Sequence, residues 1–295
     1  MRSRRFPTAL VEAMQASALD WYGANGRDLA FRRTTDPWAI LVSEVMAQQT
    51  QAARAAEAWT GFMAQFPTPG SLAGASPATV IRAWRGLGYN RRAIALRAAA
   101  IAIVDEHGGR VPDDLDALER LPGIGPYTAR AVLALAFNRP VAALDVNIRR
   151  VVSRAFLARE LPARDIQAAA DELVPADAAA AWTHALMDIG AAFCRPISPR
   201  CGECPLADAC RFAAGRDMPD VAPAPKRAAT PPFPATTRWL RGRILDRLRD
   251  ADAGEWVEFI DAMGVHDRRA VESSVGRLAA EGLIELVDGR ARLAP

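Results

Sequence analysis

The chain has 295 residues, of which 51% are hydrophobic and 24% charged, and its formal net charge is +3. This composition argues against intrinsic disorder and predicts a globular protein of one large domain or two smaller ones. No run of 18 apolar residues occurs, and the first residues lack the apolar core of a signal peptide. We therefore expect a cytoplasmic protein that crosses no membrane.

The chain from about residue 7 to residue 212 predicts an all-α domain, whose bounds we place at residues 1–215. Apolar residues recur at helical spacing in segments that Gly and Pro separate, and no alternating strand pattern competes with them. Segments of this kind include "PWAILVSEVMAQQTQAARAAEAW", "RRAIALRAAAIAIVDEHGG" and "AAAAWTHALMDIGAAFC".

The segment "LPGIGPYTARAV" predicts a tight turn between two helices. Gly123 and Gly125 flank Ile124, and Pro126 suits the first turn of the following helix. The backbone amides at such a helix start form a cradle that binds a DNA phosphate without reading the base sequence. Taken alone, a Gly-x-Gly between helices is also compatible with a plain loop.

All four cysteines lie in one window of seventeen residues, "CRPISPRCGECPLADAC". In a cytosolic protein, clustered cysteines hold a metal more often than they form disulfides. By spacing alone, either a structural zinc ion or an iron-sulfur cluster fits this set. The predicted ligands are Cys194, Cys201, Cys204 and Cys210.

The C-terminal part of the chain predicts a second, smaller unit. Residues 216–236 are rich in proline and predict an extended linker. Within residues 237–295, two amphipathic helices precede "LIELVDGRARLA", which predicts two strands around an Asp288–Gly289 turn. Helices followed by a hairpin resemble a winged helix, and the arginines of the second helix and the hairpin suit phosphate contacts. A small packing or protein-contact domain is the alternative.

Four segments carry a resemblance to the helix-hairpin-helix DNA glycosylases, over about residues 8 to 212. "SEVMAQQTQ", "GLGY", "LPGIGPYTA" and "LDVNIRRV" occur in the order seen in that superfamily, and the first is specific to its adenine glycosylase (MutY-type) branch. The resemblance implies a monofunctional, monomeric enzyme of base excision repair in the bacterial cytoplasm and nucleoid. It would flip out a mispaired or damaged base of double-stranded DNA and release that base by hydrolysis. Adenine is the first expected substrate.

The resemblance also implies the catalytic groups. Glu44 would protonate the leaving base and later activate water, while Asp145 would stabilise the sugar cation. Burial in an apolar helix would raise the pKa of Glu44, and the start of a helix would favour the charged form of Asp145. Asn147 would orient Asp145, and Tyr127 would hydrogen-bond in the same site. Taken singly, Glu44 also fits a solvated helix face and Asp145 an ordinary N-cap.

Tyr127 stands where bifunctional relatives carry a lysine, and the one lysine of this chain, Lys226, lies in the predicted linker. Water is therefore the expected final nucleophile, and the expected product is an abasic site. The resemblance further favours a 4Fe-4S cluster over zinc for the four cysteines, with a structural and DNA-facing role.

The DNA contacts and the base pocket follow from the same resemblance. The implied strand-wedge and opposite-base contacts are Gln48, Gln49 and Thr50, and the implied second wedge is Leu87 and Tyr89. The implied phosphate cradle contains Gly123 and Gly125. The implied base pocket is Arg27, Phe31, Arg32, Ala47 and His184.

Several positions depart from the family pattern. Phe31 replaces a tryptophan and Ala47 a leucine, and His184 stands where the family has a carboxylate or an amide, so we expect a wider pocket with a different polar lining. A satisfied buried histidine is the alternative for His184. Residues 237–295 do not match the domain with which the adenine branch checks for 8-oxoguanine. A glycosylase for hypoxanthine or mismatched thymine, and a non-catalytic DNA-binding protein, are the alternative functions.

Overall fold

The structure is a computed structural model that describes residues 6–159, 161–215 and 231–295. These residues form two compact units, each built from separate stretches of chain. The first unit contains residues 6–44, 113–119 and the described part of 125–215. The second contains residues 45–112, 120–124 and 231–295. Most of the expected linker lies outside the described residues.

The first unit is built of helices that surround α11. Its buried helix α11, "AAAWTHALMDIGAA", is apolar on most sides and packs against α1, α8 and α9. Phe156 joins the core, with ring centroids 6.0 Å from Phe6 and 6.4 Å from Trp182. The elements are α1 (Thr8–Asn25), the start of α2 (Pro37–Ala47), α8 (Pro126–Ala136), α9 (Val146–Val151), a π-helix (Val152–Leu157), α10 (Ala163–Asp171) and α11 (Ala179–Ala192).

The second unit begins with the end of α2 and a group of helices around an aromatic core. Phe62 packs against Phe66 at 4.8 Å and against Trp84 at 5.7 Å between ring centroids. Thr68 and Ser71 form a capping box at the start of α4, and Ser76 caps α5. The helices are α3 (Ala52–Gln65), α4 (Pro69–Ala73), α5 (Pro77–Ala83) and α6 (Arg91–His107).

A tight turn joins α7 (Leu115–Arg120) to α8, as the sequence predicts. The N–H of Ile124 donates to the carbonyl of Leu121 at 3.1 Å. Gly123 has φ 76° and no room for a side chain, because an added Cβ would lie 2.7 Å from the Cβ of Ala95. Gly125 is the N-cap of α8 in extended conformation, followed by Pro126 at the first helical position.

The C-terminal module, residues 237–295, contains two helices and a small antiparallel sheet. The elements are α12 (Thr237–Asp250), β1 (Val257–Glu258), α13 (Arg268–Ala280), β2 (Ile284–Val287) and β3 (Arg290–Leu293). Strands β2 and β3 form the predicted hairpin, with Asp288 and Gly289 both at positive φ in its two-residue turn. The sheet order is β1-β3-β2, and β1 was not predicted because two residues show no period.

The C-terminal module packs on residues 45–112 within the second unit. The buried guanidinium of Arg249 donates to the carbonyl of Ile81 at 3.0 Å and to Oδ1 of Asn90 at 2.7 Å. The carbonyl of Ala294 accepts from the N–H of Ala78 at 2.8 Å. The module therefore buries side chains against an earlier part of the chain, and the domain division at residues 215 and 237 stays a prediction.

No helix in the described ranges is both long and apolar enough to span a membrane.

Candidate active site

Glu44 is buried in the apolar helix α2. Its exposed fraction is 8%, and all of residues 38–46 are buried with it. Burial raises the pKa of Glu44 to about 7, and the nearby charge of Asp145 adds to the rise. A hydrogen bond with Tyr127 and the charge of Arg32 act in the opposite direction. Near neutral pH this carboxyl group therefore still carries a proton in a large share of the molecules.

Asp145 is the N-cap of α9. Its Oδ1 accepts from the backbone N–H of Asn147 at 2.9 Å and of Ile148 at 2.6 Å, and its Oδ2 accepts from Nδ2 of Asn147 at 3.0 Å. Burial raises the pKa of Asp145 more than these hydrogen bonds lower it. The sequence predicts the charged form of Asp145 from its place at the start of a helix. Burial, which that prediction leaves out, has the larger effect on the pKa of Asp145.

Tyr127 lies in the first turn of α8 and shares a hydrogen bond with Glu44. Burial and the charges of Glu44 and Asp145 raise the pKa of Tyr127 well above its ordinary value. The phenol therefore stays neutral and keeps its proton for hydrogen bonding. The structure thus brings the predicted Glu44, Asp145, Tyr127 and Asn147 into one group, in which Glu44 is buried and the other three are partly buried.

Arg150 links Asn147 to the start of the cysteine loop. Its Nη2 donates to Oδ1 of Asn147 at 2.8 Å and to the carbonyl of Gly190 at 2.7 Å, and its Nε donates to the carbonyl of Cys194. Gly190 permits this close packing, because an added Cβ would lie 2.6 Å from the Cβ of Asn147. The position of Asn147 therefore depends on α11 and on the loop that follows it.

A cavity of about 200 Å³ lies beside Glu44, lined also by Phe31, Arg32 and His184. Burial and the charge of Arg32 lower the pKa of His184 to about 3, so its imidazole is neutral. The ring of His184 stacks on Tyr22, with centroids 6.0 Å apart. Within the described residues, neither Nδ1 of His184 nor Nε of Arg32 has a hydrogen-bond partner. Both atoms are candidates for contacts with a ligand.

Asp188 organises this cavity and was missed by the sequence analysis. Its carboxylate accepts from Nη1 and Nη2 of Arg32 at 2.7 and 2.9 Å, and from Nε and the backbone N–H of Arg27 at 2.7 and 3.0 Å. These bonds lower the pKa of Asp188 to about 2 against the effect of burial. The available signal was a carboxylate one helical turn after His184 in an otherwise apolar helix.

The predicted base-pocket residues are thus only partly brought together. Phe31, Arg32 and His184 line the cavity, whereas Arg27 is not among the lining residues and pairs with Asp188. Ala47 is the last residue of α2 and belongs to the second unit.

The predicted DNA-contact segments of the second unit have irregular backbone. Gln49 has φ 55° and Tyr89 φ 46°, both in the left-handed region that L-residues rarely adopt. The side chain of Tyr89 is 41% exposed, whereas that of Leu87 is buried at 3%. Such strained conformations persist only where the surroundings enforce them.

Arg92 holds both segments together and was not predicted. Its Nη1 donates to the carbonyls of Val45 at 2.8 Å, Met46 at 3.0 Å and Gln48. Its Nη2 donates to Oγ1 of Thr50 at 3.2 Å. The same Nη2 donates to two carbonyls of the segment that contains Tyr89, those of Leu87 at 3.2 Å and Gly88 at 3.1 Å. One guanidinium group therefore fixes the end of α2 against the turn before α6.

The four cysteines line one small cavity of about 20 Å³, together with Phe193 and Phe212. Burial raises the pKa of Cys204 to about 11, and Nη1 of Arg154 lies 3.8 Å from Sγ of Cys194. In the described ranges no three His, Cys, Asp or Glu side chains converge as ligands of one ion do. A four-iron cluster spaces its thiolate ligands more widely than one ion does, so this all-sulfur set with apolar walls suits it.

Two family models match the chain. Residues 42–176 match the HhH-GPD superfamily of base excision DNA repair proteins. Residues 194–210 match the iron-sulfur binding domain of endonuclease III, and this range contains all four cysteines.

Among solved structures, the chain is similar to a thermostable thymine-DNA glycosylase, with TM-score 0.66 and 27% identity over 70% of this chain and 98% of that one. An endonuclease III in a trapped covalent complex with DNA shares the fold, with TM-score 0.61 and 22% identity over 72% and 99% of the two chains. The all-α glycosylase fold is thereby confirmed.

A curated relative extends the similarity over nearly the whole chain. The adenine DNA glycosylase of Mycolicibacterium smegmatis is 42% identical over 282 residues, which are 94% of each protein. Residues 237–295 make up a fifth of this chain, so the match includes most of the C-terminal module. The protein therefore belongs to the adenine DNA glycosylases of the helix-hairpin-helix superfamily, as a DNA glycosylase of base excision repair with a 4Fe-4S cluster.

Proposed function

We propose that the protein releases adenine from a mispair in double-stranded DNA. The observation that carries this proposal is a carboxyl group with a pKa near 7, Glu44, in the wall of a 200 Å³ cavity that two residues with a polar atom unpartnered in the described ranges, His184 and Arg32, also line. Adenine presents ring nitrogens and an amino group to such atoms. The similarity to the mycobacterial adenine DNA glycosylase supports adenine as the base.

In the proposed reaction, Glu44 donates its proton to a ring nitrogen of the base as the bond between base and sugar breaks. The electron pair of that bond leaves with the base, and the sugar becomes an oxocarbenium ion. Asp145, held by α9 and Asn147, places its negative charge beside this cation. Glu44, now a carboxylate, takes a proton from water, whose oxygen bonds to the sugar carbon. The products are the free base and an abasic site.

The reaction is proposed to need no amine nucleophile. Tyr127 occupies the position of the lysine in bifunctional relatives, and its raised pKa keeps the phenol neutral. The one lysine of the chain, Lys226, lies outside the described residues. The enzyme is therefore proposed to be monofunctional.

We assign the DNA contacts as the resemblance implies. The exposed ring of Tyr89 suits insertion between bases, whereas Leu87 would have to leave its buried position to act as a wedge. The start of α8 after Gly123 and Gly125 suits a phosphate contact. The remaining proposed contacts, at the opposite base, are Gln48, Gln49 and Thr50.

We further propose that the enzyme acts as a monomer on chromosomal DNA in the cytoplasm. The four thiolates of the cysteine loop would hold the 4Fe-4S cluster, which supports the loop between α11 and the linker. A mass determination in solution tests the monomer, and a dimer would contradict it.

The experiment is a panel of duplexes, each with adenine, hypoxanthine or thymine opposite one of the normal bases or 8-oxoguanine, assayed for alkali-labile sites. We expect adenine release, none from Glu44→Gln or Asp145→Asn, and DNA binding by both variants. Borohydride should trap no covalent adduct. Release of thymine or hypoxanthine instead of adenine, or turnover by Glu44→Gln, would refute the proposed function.

A further inference from the structure

Residues 137–145 connect α8 to α9 as an irregular segment that ends at Asp145. Within this segment, Ala142 and Ala143 are buried. Buried backbone N–H and carbonyl groups outside helices and strands need other hydrogen-bond partners, because a group left without one costs free energy. The segment that leads into Asp145 therefore depends on side chains from neighbouring helices.

Helix α10 supplies partners for both backbone groups of Ala142. Oδ1 of Asp171 accepts from the N–H of Ala142 at 2.8 Å. Nε2 of Gln167 donates to the carbonyl of Ala142 at 2.9 Å and to Oδ1 of Asp171 at 3.0 Å. The two side chains lie one helical turn apart and so act from the same face of α10. Ala142 is thereby fixed three residues before Asp145, whose own N–H donates to the carbonyl of Ala143 at 3.0 Å.

Asp171 also binds α8, the helix that carries Tyr127. Nη1 of Arg130 donates to Oδ1 of Asp171 at 2.8 Å, and both side chains are partly buried. Arg130 lies one turn after Tyr127, whose phenol shares a hydrogen bond with Glu44. One carboxylate therefore joins the helix of Tyr127 to the segment that leads into Asp145.

We propose that Asp171 and Gln167 are positioning residues that hold Asp145 in its place for the reaction. The proposal rests on the proposed function, because a cation that forms on the sugar needs the negative charge of Asp145 at a fixed point. Neither side chain lines the cavity beside Glu44, and both act through the backbone of Ala142. A displacement of about 1 Å in such a group costs on the order of a hundredfold in rate.

The same segment offers a matched control. Nη2 of Arg139 donates to Oδ2 of Asp113 at 2.9 Å, and both of these side chains are exposed. This pair also joins the segment to another part of the first unit, but it binds through the side chain of Arg139 and not through the backbone. Loss of the Asp113 carboxylate should therefore leave the position of Asp145 unchanged.

The test compares Asp171→Ala, Gln167→Ala and Asp113→Ala in the full, cluster-containing chain. Single-turnover release is measured with enzyme in excess and is corrected for the active fraction. Dissociation constants are measured for two duplexes, one with an uncharged tetrahydrofuran abasic analogue and one with a pyrrolidine analogue whose protonated ring nitrogen mimics the sugar cation. The ratio of these constants reports the charge of Asp145 beside the sugar, which a purely structural role of α10 would not change.

We expect Asp171→Ala to slow single-turnover release about tenfold or more and to reduce the preference for the cationic duplex by about tenfold. Gln167→Ala should change both quantities in the same direction, to a smaller extent. Asp171→Asn keeps an acceptor for the N–H of Ala142 and should stay within a few-fold of the wild type. Asp113→Ala should match the wild type in both measurements.

Melting curves are recorded for all variants, and Gln167→Ala provides the test if Asp171→Ala does not fold. A lower melting temperature with unchanged release and unchanged duplex preference in the α10 variants would overturn the proposal. An equal effect of Asp113→Ala would also overturn it. The proposed function fails separately: if the wild type releases no adenine but prefers the cationic duplex, loss of that preference in Asp171→Ala still supports the positioning role.

Discussion

Glu44 and His184 line one cavity, and burial shifts their pKa values in opposite directions. It raises the pKa of the carboxyl group to about 7 and lowers that of the imidazole to about 3. In both cases the low-dielectric surroundings disfavour the charged form. Asp188 differs, because Arg27 and Arg32 hold it ionised and keep its pKa at about 2. The cavity therefore combines a proton donor, a neutral imidazole and a fixed ion pair.

The raised pKa of Glu44 predicts a pH-dependent stability difference between the wild type and Glu44→Gln. The ordinary pKa of 4.5 applies to the unfolded chain and the value of about 7 to the folded one. Below pH 4.5 both states hold the proton, and the contribution of Glu44 to stability is fully present. The contribution of Glu44 to the free energy of unfolding decreases by roughly 3 kcal/mol as the pH rises from 4.5 to about 7. Urea unfolding of both proteins measures it, and a difference that is constant with pH contradicts the shift.

His184 is predicted to contact the flipped base by hydrogen bonding. His184→Gln keeps a donor and an acceptor in the pocket, so adenine release should stay within a few-fold of the wild type. His184→Leu fills the space without a polar group and should slow single-turnover release by about tenfold or more. Equal rates for the two variants, with equal melting temperatures, would show that His184 only fills space.

At the scale of the elements, the ends of helices carry much of the site. The start of α9 holds Asp145, the start of α8 holds Tyr127, and the end of α2 leads into the segment that Arg92 fixes. Arg92 itself is half-buried, and burial lowers its pKa to about 10. Its six hydrogen bonds offset that cost and enforce the strained conformations of Gln49 and Tyr89.

Arg92→Lys should therefore destabilise the protein and weaken DNA binding together. A lysine ammonium cannot reach acceptors on both sides as the planar guanidinium does, and several buried carbonyls would lose their donor. We expect a loss of about 1 to 3 kcal/mol in the free energy of unfolding. Arg82→Lys, at a position whose side chain makes no hydrogen bond or ion pair among the described residues, is the matched control. An equal effect of both substitutions would contradict the role of Arg92.

The cysteine loop should be the element that loses its order when a ligand is removed. The purified protein is expected to be brown, with iron and acid-labile sulfide in equal amounts, and Cys201→Ser should lose most of both. Elemental analysis and the visible absorption spectrum measure this. Colourless protein with one zinc ion would contradict the cluster without affecting the two carboxyl groups.

At the scale of the whole molecule, the two units contain different parts of the predicted functional sites. The first unit contains the two carboxyl groups, the base cavity and the cysteine loop. The second contains the predicted strand-contact segments and the C-terminal module. The chain passes between the units within α2, directly after Glu44, so one helix carries residues of both.

The packing of the module on residues 45–112 predicts the effect of truncation after Pro234. This truncation removes the buried Arg249 and the carbonyl of Ala294 that caps α5. Amide hydrogen exchange in α5 and α6 should become faster, while α11 of the first unit keeps its protection. Unchanged exchange in α5 and α6 would show that the module is an independent domain, as the sequence alone suggests.

The sequence by itself was sufficient for the helices, the turn at Gly123, the cysteine loop and the C-terminal hairpin. Each depends on neighbouring residues: helical periodicity, a positive φ that glycine allows, close cysteine spacing, and an Asp-Gly turn. The two carboxyl groups were identified through a resemblance carried by short motifs, and Glu44 and Asp145 lie together as that resemblance implies.

Only the tertiary structure decided the contacts between distant parts of the chain. Asp188 binds Arg27 and Arg32 from more than 150 residues away, and Arg238 reaches Tyr89 across 149 residues. Arg92 and Arg249 look like ordinary surface arginines in the sequence, because their carbonyl acceptors carry no side-chain signal. The burial that sets the pKa of Glu44 likewise comes from packing, which periodicity indicates but does not measure.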